Sequence, residues 1–204
     1  MADLPIDPEK KVPVPWFVGW QDGKPEFRAM DGQKYRRAIR EKLCWVCGKR
    51  LGVHMTFVAG PMCGIDRTSS EPPCHYECAL WSAKNCPFLS NPRQVRREDE
   101  IINNASIAEN TPGFALTRNP GVAMLWRTRQ YERFPDGRGG MLIQMGEPES
   151  VEWYACGRAA TRDEVIASIE SGLPNLEVLA RQEKGGLEAL AQSRARFEKW
   201  VPVA

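Results

Sequence analysis

Two short stretches hold the residue types that bind metal ions: Cys44-Trp45-Val46-Cys47-Gly48-Lys49 and His75-Tyr76-Glu77-Cys78. In the first, two thiols three positions apart can turn onto one tetrahedral ion, and Gly48 directly behind them tolerates the tight knuckle this requires. In the second, an imidazole and a thiol three positions apart share one face if they begin a helix. The 27 intervening residues, 48 to 74, leave room for a hairpin and a loop. Cys44, Cys47, His75 and Cys78 are therefore the expected ligands of one structural Zn2+. The bland alternative of buried thiols and a core histidine explains either pair alone but not both spacings together. A Cys3His shell is saturated, which argues against hydrolysis at that ion.

A C-x2-C-G knuckle, a hairpin, then a helix whose first turn gives the second ligand pair resembles the treble-clef zinc fingers. The resemblance covers residues 43 to 87 and carries over to the same four ligands alone. The segment also resembles uncharacterised bacterial and phage proteins, which implies no activity. Cys63, Cys74 and Cys86 crowd the same stretch. Cys74 competes with its neighbour His75 for one vertex, and taking it would make the shell all cysteine. Cys63, Cys86 and the distant Cys156 read as small apolar side chains.

The treble-clef scaffold also underlies the HNH nucleases, whose resemblance would demand a general-base histidine on the hairpin and further metal ligands on the helix. His54 is the one candidate, since the chain has only two histidines. Val53 precedes it where a nuclease would want an acidic or histidine partner, and Glu77 is the only carboxylate near the helix start. No nucleophile elbow, Walker loop or dinucleotide fingerprint is present. The polar loop from Arg67 to Glu71 reads as satisfying its own backbone, with anion binding as the alternative.

Residues 24 to 50 contain nine basic side chains against three acidic ones. Arg36, Arg37 and Arg40, with Lys49 and Arg50 in the knuckle, form a candidate phosphate-contacting face. In a later strand Arg127, Arg129, Tyr131 and Arg133 alternate onto one face, interleaving cations with an aromatic ring in a way that suits nucleic acid. Seven tryptophans offer protein-binding anchors as a competing possibility.

The elements that must position these groups follow from pattern and punctuation. Residues 1 to 15, with four prolines, read as an extended arm with little structure of its own, anchored by Trp16, Phe17, Val18 and Trp20. Asp31 caps a helix to about Lys42, with Tyr35, Ala38, Ile39 and Leu43 inward and Lys34, Arg36, Arg37 and Arg40 outward. Val53-His54-Met55-Thr56-Phe57 reads as part of a hairpin. A helix follows Pro72-Pro73 from His75 to about Lys84. Arg93, Arg96 and Arg97 mark a crossing segment, Glu98 to Ile107 a further helix, and Thr111-Pro112-Gly113 a boundary. Val122 to Phe134 has strand composition, turns at Pro135-Asp136-Gly137 and returns over Met141 to Met145, with another strand at Val151 to Ala155. Thr161 and Glu164 form a capping-box signature for a helix that Gly172 closes before Leu173-Pro174. Helices over Asn175 to Glu183 and Leu187 to Trp200 complete the chain.

Hydrophobic content of 42% and charged content of 26% are those of a globular chain, and the net charge of +2 leaves the partner open. The absence of a bilayer-length apolar run and the clustering of cysteines predict a cytoplasmic protein without a membrane partner. The expected fold is α+β: a treble-clef-like zinc module joined to a small antiparallel sheet with C-terminal helices. It divides into an arm (1–15), a zinc-binding module with flanking helices (16–110) and a sheet-and-helix half packed on it (111–204). The expected function is that of a non-catalytic, zinc-stabilised binding or adaptor protein. Nucleic acid is preferred as target over a protein partner for a possibly phage-encoded regulator, an HNH-like nuclease is the enzyme alternative, and no small-molecule substrate is expected.

Overall fold

The computed structural model describes residues 3–91, 120–137 and 140–203. The expected crossing segment at Arg93, Arg96 and Arg97, the helix at 98–107 and the boundary at 111–113 lie outside these. The described chain mixes helices with small antiparallel sheets, an α+β architecture. A hairpin of β1 (Val18–Gln21) and β2 (Lys24–Met30) precedes α1 (Gly32–Glu41), whose N-cap Asp31 accepts from the amides of Gln33 and Lys34. The arm is not featureless. Asp7, 4% exposed, accepts from the amides of Glu9 and Lys10, and a bridge between Ile6 and Pro13 closes that turn.

The main sheet runs in the order β3-β5-β8-β9, from β3 (Met55–Ala59), β5 (Ala123–Thr128), β8 (Pro148–Ala155) and β9 (Arg158–Ala159), all antiparallel. A second sheet has the order β4-β7-β6, from β4 (Thr68–Ser69), β7 (Met141–Met145) and β6 (Tyr131–Pro135). Both sheets therefore combine strands from before residue 91 with strands from after residue 120. The strand expected within a local hairpin, β3, pairs instead with β5 and makes one bridge, from Thr56 to Cys74. Its alternation explains this: Phe57 faces one core and Thr56 and Val58 the other, so both faces need cover that a hairpin of polar neighbours does not provide.

Strand β5 is buried on both faces. Met124 and Trp126 point into a core with Phe57, Trp153, Val165, Ile169 and Phe197, while Ala123 and Leu125 point toward Cys44, Cys78, Ala79 and Ala83. Helices α2 (Pro61–Asp66), α5 (Arg162–Ala180) and α6 (Gly186–Phe197) belong to the first layer, and α3 (Tyr76–Asn85) lies across the other face. A four-residue turn, α4 (Pro87–Ser90), follows α3.

Two readings of the later chain need correction. The strand expected over Val122 to Phe134 is broken at Arg129 and Gln130, so β5 and β6 belong to different sheets. Helix α5 opens on the expected Thr161–Glu164 capping box but runs through Gly172 and Pro174 without ending. Gly172 serves close packing: a Cβ there would meet the Met62 side chain at 2.8 Å. With Leu173 buried beside it, tertiary contact overrides the proline's breaking tendency.

Candidate metal centre

Helix α1 ends on Lys42 in the left-handed region and hands the chain to the knuckle, which bonds between Leu43 and Arg50 close. Within it the Gly48 amide donates to the Cys44 carbonyl at 2.8 Å and the Cys44 amide to the Lys49 carbonyl at 2.7 Å. Gly48 has φ +70°, and a Cβ there would lie 2.7 Å from the Trp16 ring, which covers the knuckle. Trp45, 2% exposed, fixes the other side by stacking on Phe17 at 4.9 Å and meeting Tyr35 edge-on at 5.7 Å.

The second pair arrives on α3. His75 is its N-cap, with extended backbone and no side-chain capping bond, and Cys78 stands one turn in. The bridge between Cys74 and Thr56, with N···O distances of 2.7 and 2.9 Å, anchors the helix entry to the sheet. As a result the donor atoms of Cys44, Cys47, His75 and Cys78 all lie within 4.8 Å of one another. Among the described residues no other group of three or more Cys, His, Asp or Glu donors is gathered in this way.

The imidazole orientation supports a metal site. Nε2 of His75 donates to the Arg50 carbonyl at 3.0 Å, and a carbonyl can only accept, so in the neutral ring, the form that ligates a metal, the lone pair is on Nδ1. Nδ1 faces Cys47 Sγ at 3.4 Å. A ligating histidine is held in just this manner, one ring nitrogen on the ion and the other on a carbonyl. The amide of His75 donates to Cys44 Sγ at 3.3 Å, and the amide-rich start of α3 favours negative sulfur beside it.

Thiols of Cys74 and Cys78 donating to Cys44 hold its thiol far below the ordinary range. Cys78 is correspondingly pushed far up by bonding to Cys44, and burial raises Cys47. Sulfurs this close share one negative charge readily, whereas three charges require a cation among them. The four residues are thus positioned to bind a metal ion, with a donor set compatible with zinc. Cys74 is buried beside the cluster and outside the four-donor set.

The other candidate residues separate into groups. Arg36, Arg37, Arg40, Lys49 and Arg50 are exposed on α1 and the knuckle. Arg37 and Arg40 both contact Glu41, at 3.3 and 2.6 Å, and Lys49 pairs with Asp3. Lys34, expected to face outward, instead donates to the Val18 carbonyl at 3.0 Å. The stripe of Arg127, Arg129, Tyr131 and Arg133 is divided by the strand break. Arg127 lies over the Tyr76 ring, Arg129 pairs with Glu149, Tyr131 packs edge-on against Phe57, and Arg133 is exposed on β6. His54 has an acidic partner after all: Nδ1 is 2.6 Å from Glu149 Oε2, while Arg129 holds the other oxygen at 2.6 Å. Bonding to His54 keeps the Glu149 carboxyl low. Sequence proximity could not reveal a partner 95 positions away.

No helix among the described residues is long and apolar enough to cross a membrane. Comparison with protein-family models, with curated proteins and with solved structures finds no match to this chain. Its class is accordingly defined by fold and site alone: an α+β protein with a four-residue candidate metal centre.

Proposed function

We propose that this chain is a zinc-stabilised, non-catalytic binding module of treble-clef type, and that its target is nucleic acid. The Cys3His donor set, closed on all four sides and oriented through Arg50, supports a structural ion that fixes the knuckle against α1 and α3. The observation that carries the choice of target is the continuity of basic surface. The amide of Leu51 donates to the Lys42 carbonyl at 2.8 Å, so the exposed Arg36, Arg37 and Arg40 of α1 and its C-cap Lys42 run directly into Lys49 and Arg50. Such a surface suits phosphates, which orient a protein without being read as sequence.

The test is a mobility shift of labelled DNA and RNA at several salt concentrations. Binding should weaken steeply with salt and vanish when Arg36, Arg37 and Arg40 are all changed to Glu. Unaltered binding in that triple variant defeats the reading. Trp20, 41% exposed on the β1–β2 hairpin, supports a protein partner as the second reading. That reading predicts co-purification of a defined protein, lost in Trp20→Ala, together with no nucleic-acid shift. Divalent-ion-dependent cleavage lost in His54→Ala would overturn both.

A further inference from the structure

Helix α1 turns one narrow polar arc to solvent. Gln33, Arg36, Arg37 and Arg40 are exposed, whereas Gly32, Ala38 and Ile39 are buried and Tyr35 is turned inward, its hydroxyl donating to the Met141 carbonyl at 3.0 Å. With about 3.6 residues to a turn, Gln33 and Arg40 stand nearly in line two turns apart, and Arg36 and Arg37 flank that line by about 50° on either side. Lys34 and Glu41 border the arc beyond Arg37. Both are engaged, Lys34 with the Val18 carbonyl and Glu41 with Arg37 and Arg40.

The helix is fixed at both ends. Asp31 caps the amides of Gln33 and Lys34, the Lys34–Val18 bond ties the first turn to β1, and Lys42 donates its amide to the Ala38 carbonyl from a left-handed C-cap. The Arg37 guanidinium lies 5.8 Å from the centroid of the Trp16 ring, so that side chain is oriented as well. Donors carried in a row on a rigid helix are what the readout of base edges requires.

The two residues on the central line suit base edges: an amide pairs with the N6 and N7 of adenine, and a guanidinium with the O6 and N7 of guanine. Their separation of seven residues is about 10.5 Å along the axis, close to three base-pair steps of about 3.4 Å. The ion pair of Arg40 with Glu41 is exposed, and such pairs are weak enough to exchange for a guanine edge. We propose that α1 is a recognition helix for the major groove of duplex DNA, with Gln33 and Arg40 on the bases and Arg36 and Arg37 reaching the phosphates of the two strands that wall the groove. The proposal rests on the nucleic-acid reading of this face and narrows its target. Duplex RNA is disfavoured because its major groove is too deep and narrow for side chains to read. A single strand would want stacking rings, and the one aromatic residue of α1, Tyr35, faces inward against Trp45.

The test is selection of bound sites from a random duplex DNA library by the full chain, followed by affinity measurements on the selected duplex, a scrambled duplex and single-stranded RNA. A preferred site holding adenine and guanine about three steps apart is expected. Gln33→Ala should reduce the ratio of selected to scrambled affinity about tenfold, through the adenine position, and Arg40→Ala should do the same through the guanine position. Arg36→Ala combined with Arg37→Ala should weaken selected and scrambled duplexes alike. The proposal is overturned, with the nucleic-acid reading intact, if selection returns no preferred site, if Gln33→Ala keeps the parent's preference, or if single-stranded RNA binds more tightly than the selected duplex. Binding to none of the three overturns both.

Discussion

The Nε2 atom of His75 lies 3.0 Å from the carbonyl oxygen of Arg50, which ties the helix-borne half of the metal centre to the back of the knuckle. The bond selects the tautomer that presents Nδ1 to the sulfurs. If the cluster holds structural zinc, purified protein contains one equivalent. Cys47→Ser then loses the metal and at least about 3 kcal/mol of stability, a fall in Tm on the order of 10 °C. His75→Cys should keep the metal and His75→Ala bind it more weakly, as read by chelator competition. Protein that is metal-free, fully folded and indifferent to Cys47→Ser contradicts the site.

Gly48 is under two constraints, its φ of +70° and the Trp16 ring 2.7 Å from where a Cβ would stand. The left-handed conformation alone costs an alanine about 1 to 2 kcal/mol. Gly48→Ala should therefore destabilise by at least that much and hasten metal release to a chelator. Gly23, with φ +75° at the β1–β2 turn and open space around it, is the control: Gly23→Ala should destabilise and leave metal release unchanged.

Pro174 within α5 has no amide to offer the carbonyl of Glu170. Since the helix continues through this point, Pro174→Ala should restore that bond and raise stability by about 1 kcal/mol, visible as a higher denaturant midpoint. A lowered midpoint would show that the ring's packing outweighs the missing bond.

Alkaline stability should be governed by tyrosines. Burial pushes Tyr35 and Tyr154 up to about 12, and Tyr76 and Tyr131 are raised for the same leading reason. A group whose folded pKa lies above its unfolded value stabilises fully below the latter and loses that contribution as pH rises. The window here runs from the ordinary value of 10 to about 12. Absorbance at 295 nm should show the chain's four tyrosines ionising late and together with unfolding. Tyr35→Phe should extend the folded range upward in pH.

The acid limb should depend on Glu164. Bonding to Arg158, then to the Thr161 amide, lowers its carboxyl to about 2. A depressed carboxylate stabilises above its unfolded value of 4.5, and the contribution fades as pH falls from there to about 2. Glu164→Gln should flatten stability across that interval, and Thr161→Ala should cost about 1 kcal/mol near neutral pH. Both are measured by denaturant melts at stepped pH.

What the sequence disclosed was whatever depends on near neighbours. The Asp31 cap, the Thr161–Glu164 box, the turn after Pro135 and the return strand Met141–Met145 are decided within a few positions, and they stand where expected. The clustering of Cys44, Cys47, His75 and Cys78 was legible because each pair is local and the two pairs share one chemistry. Nonlocal matters were hidden. That Thr56 faces Arg127, or that Glu149 reaches His54, depends on a ladder joining distant strands. Helix α5 passed through Pro174 because Met62 and the core around Leu173 hold it there, and no local rule contains them.

Strand β3, at one end of the main sheet, has its ladder partner in β5. Because β5 follows all four donors in the chain, the side of the candidate centre that Ala123 and Leu125 cover is completed by residues synthesised after the cluster itself.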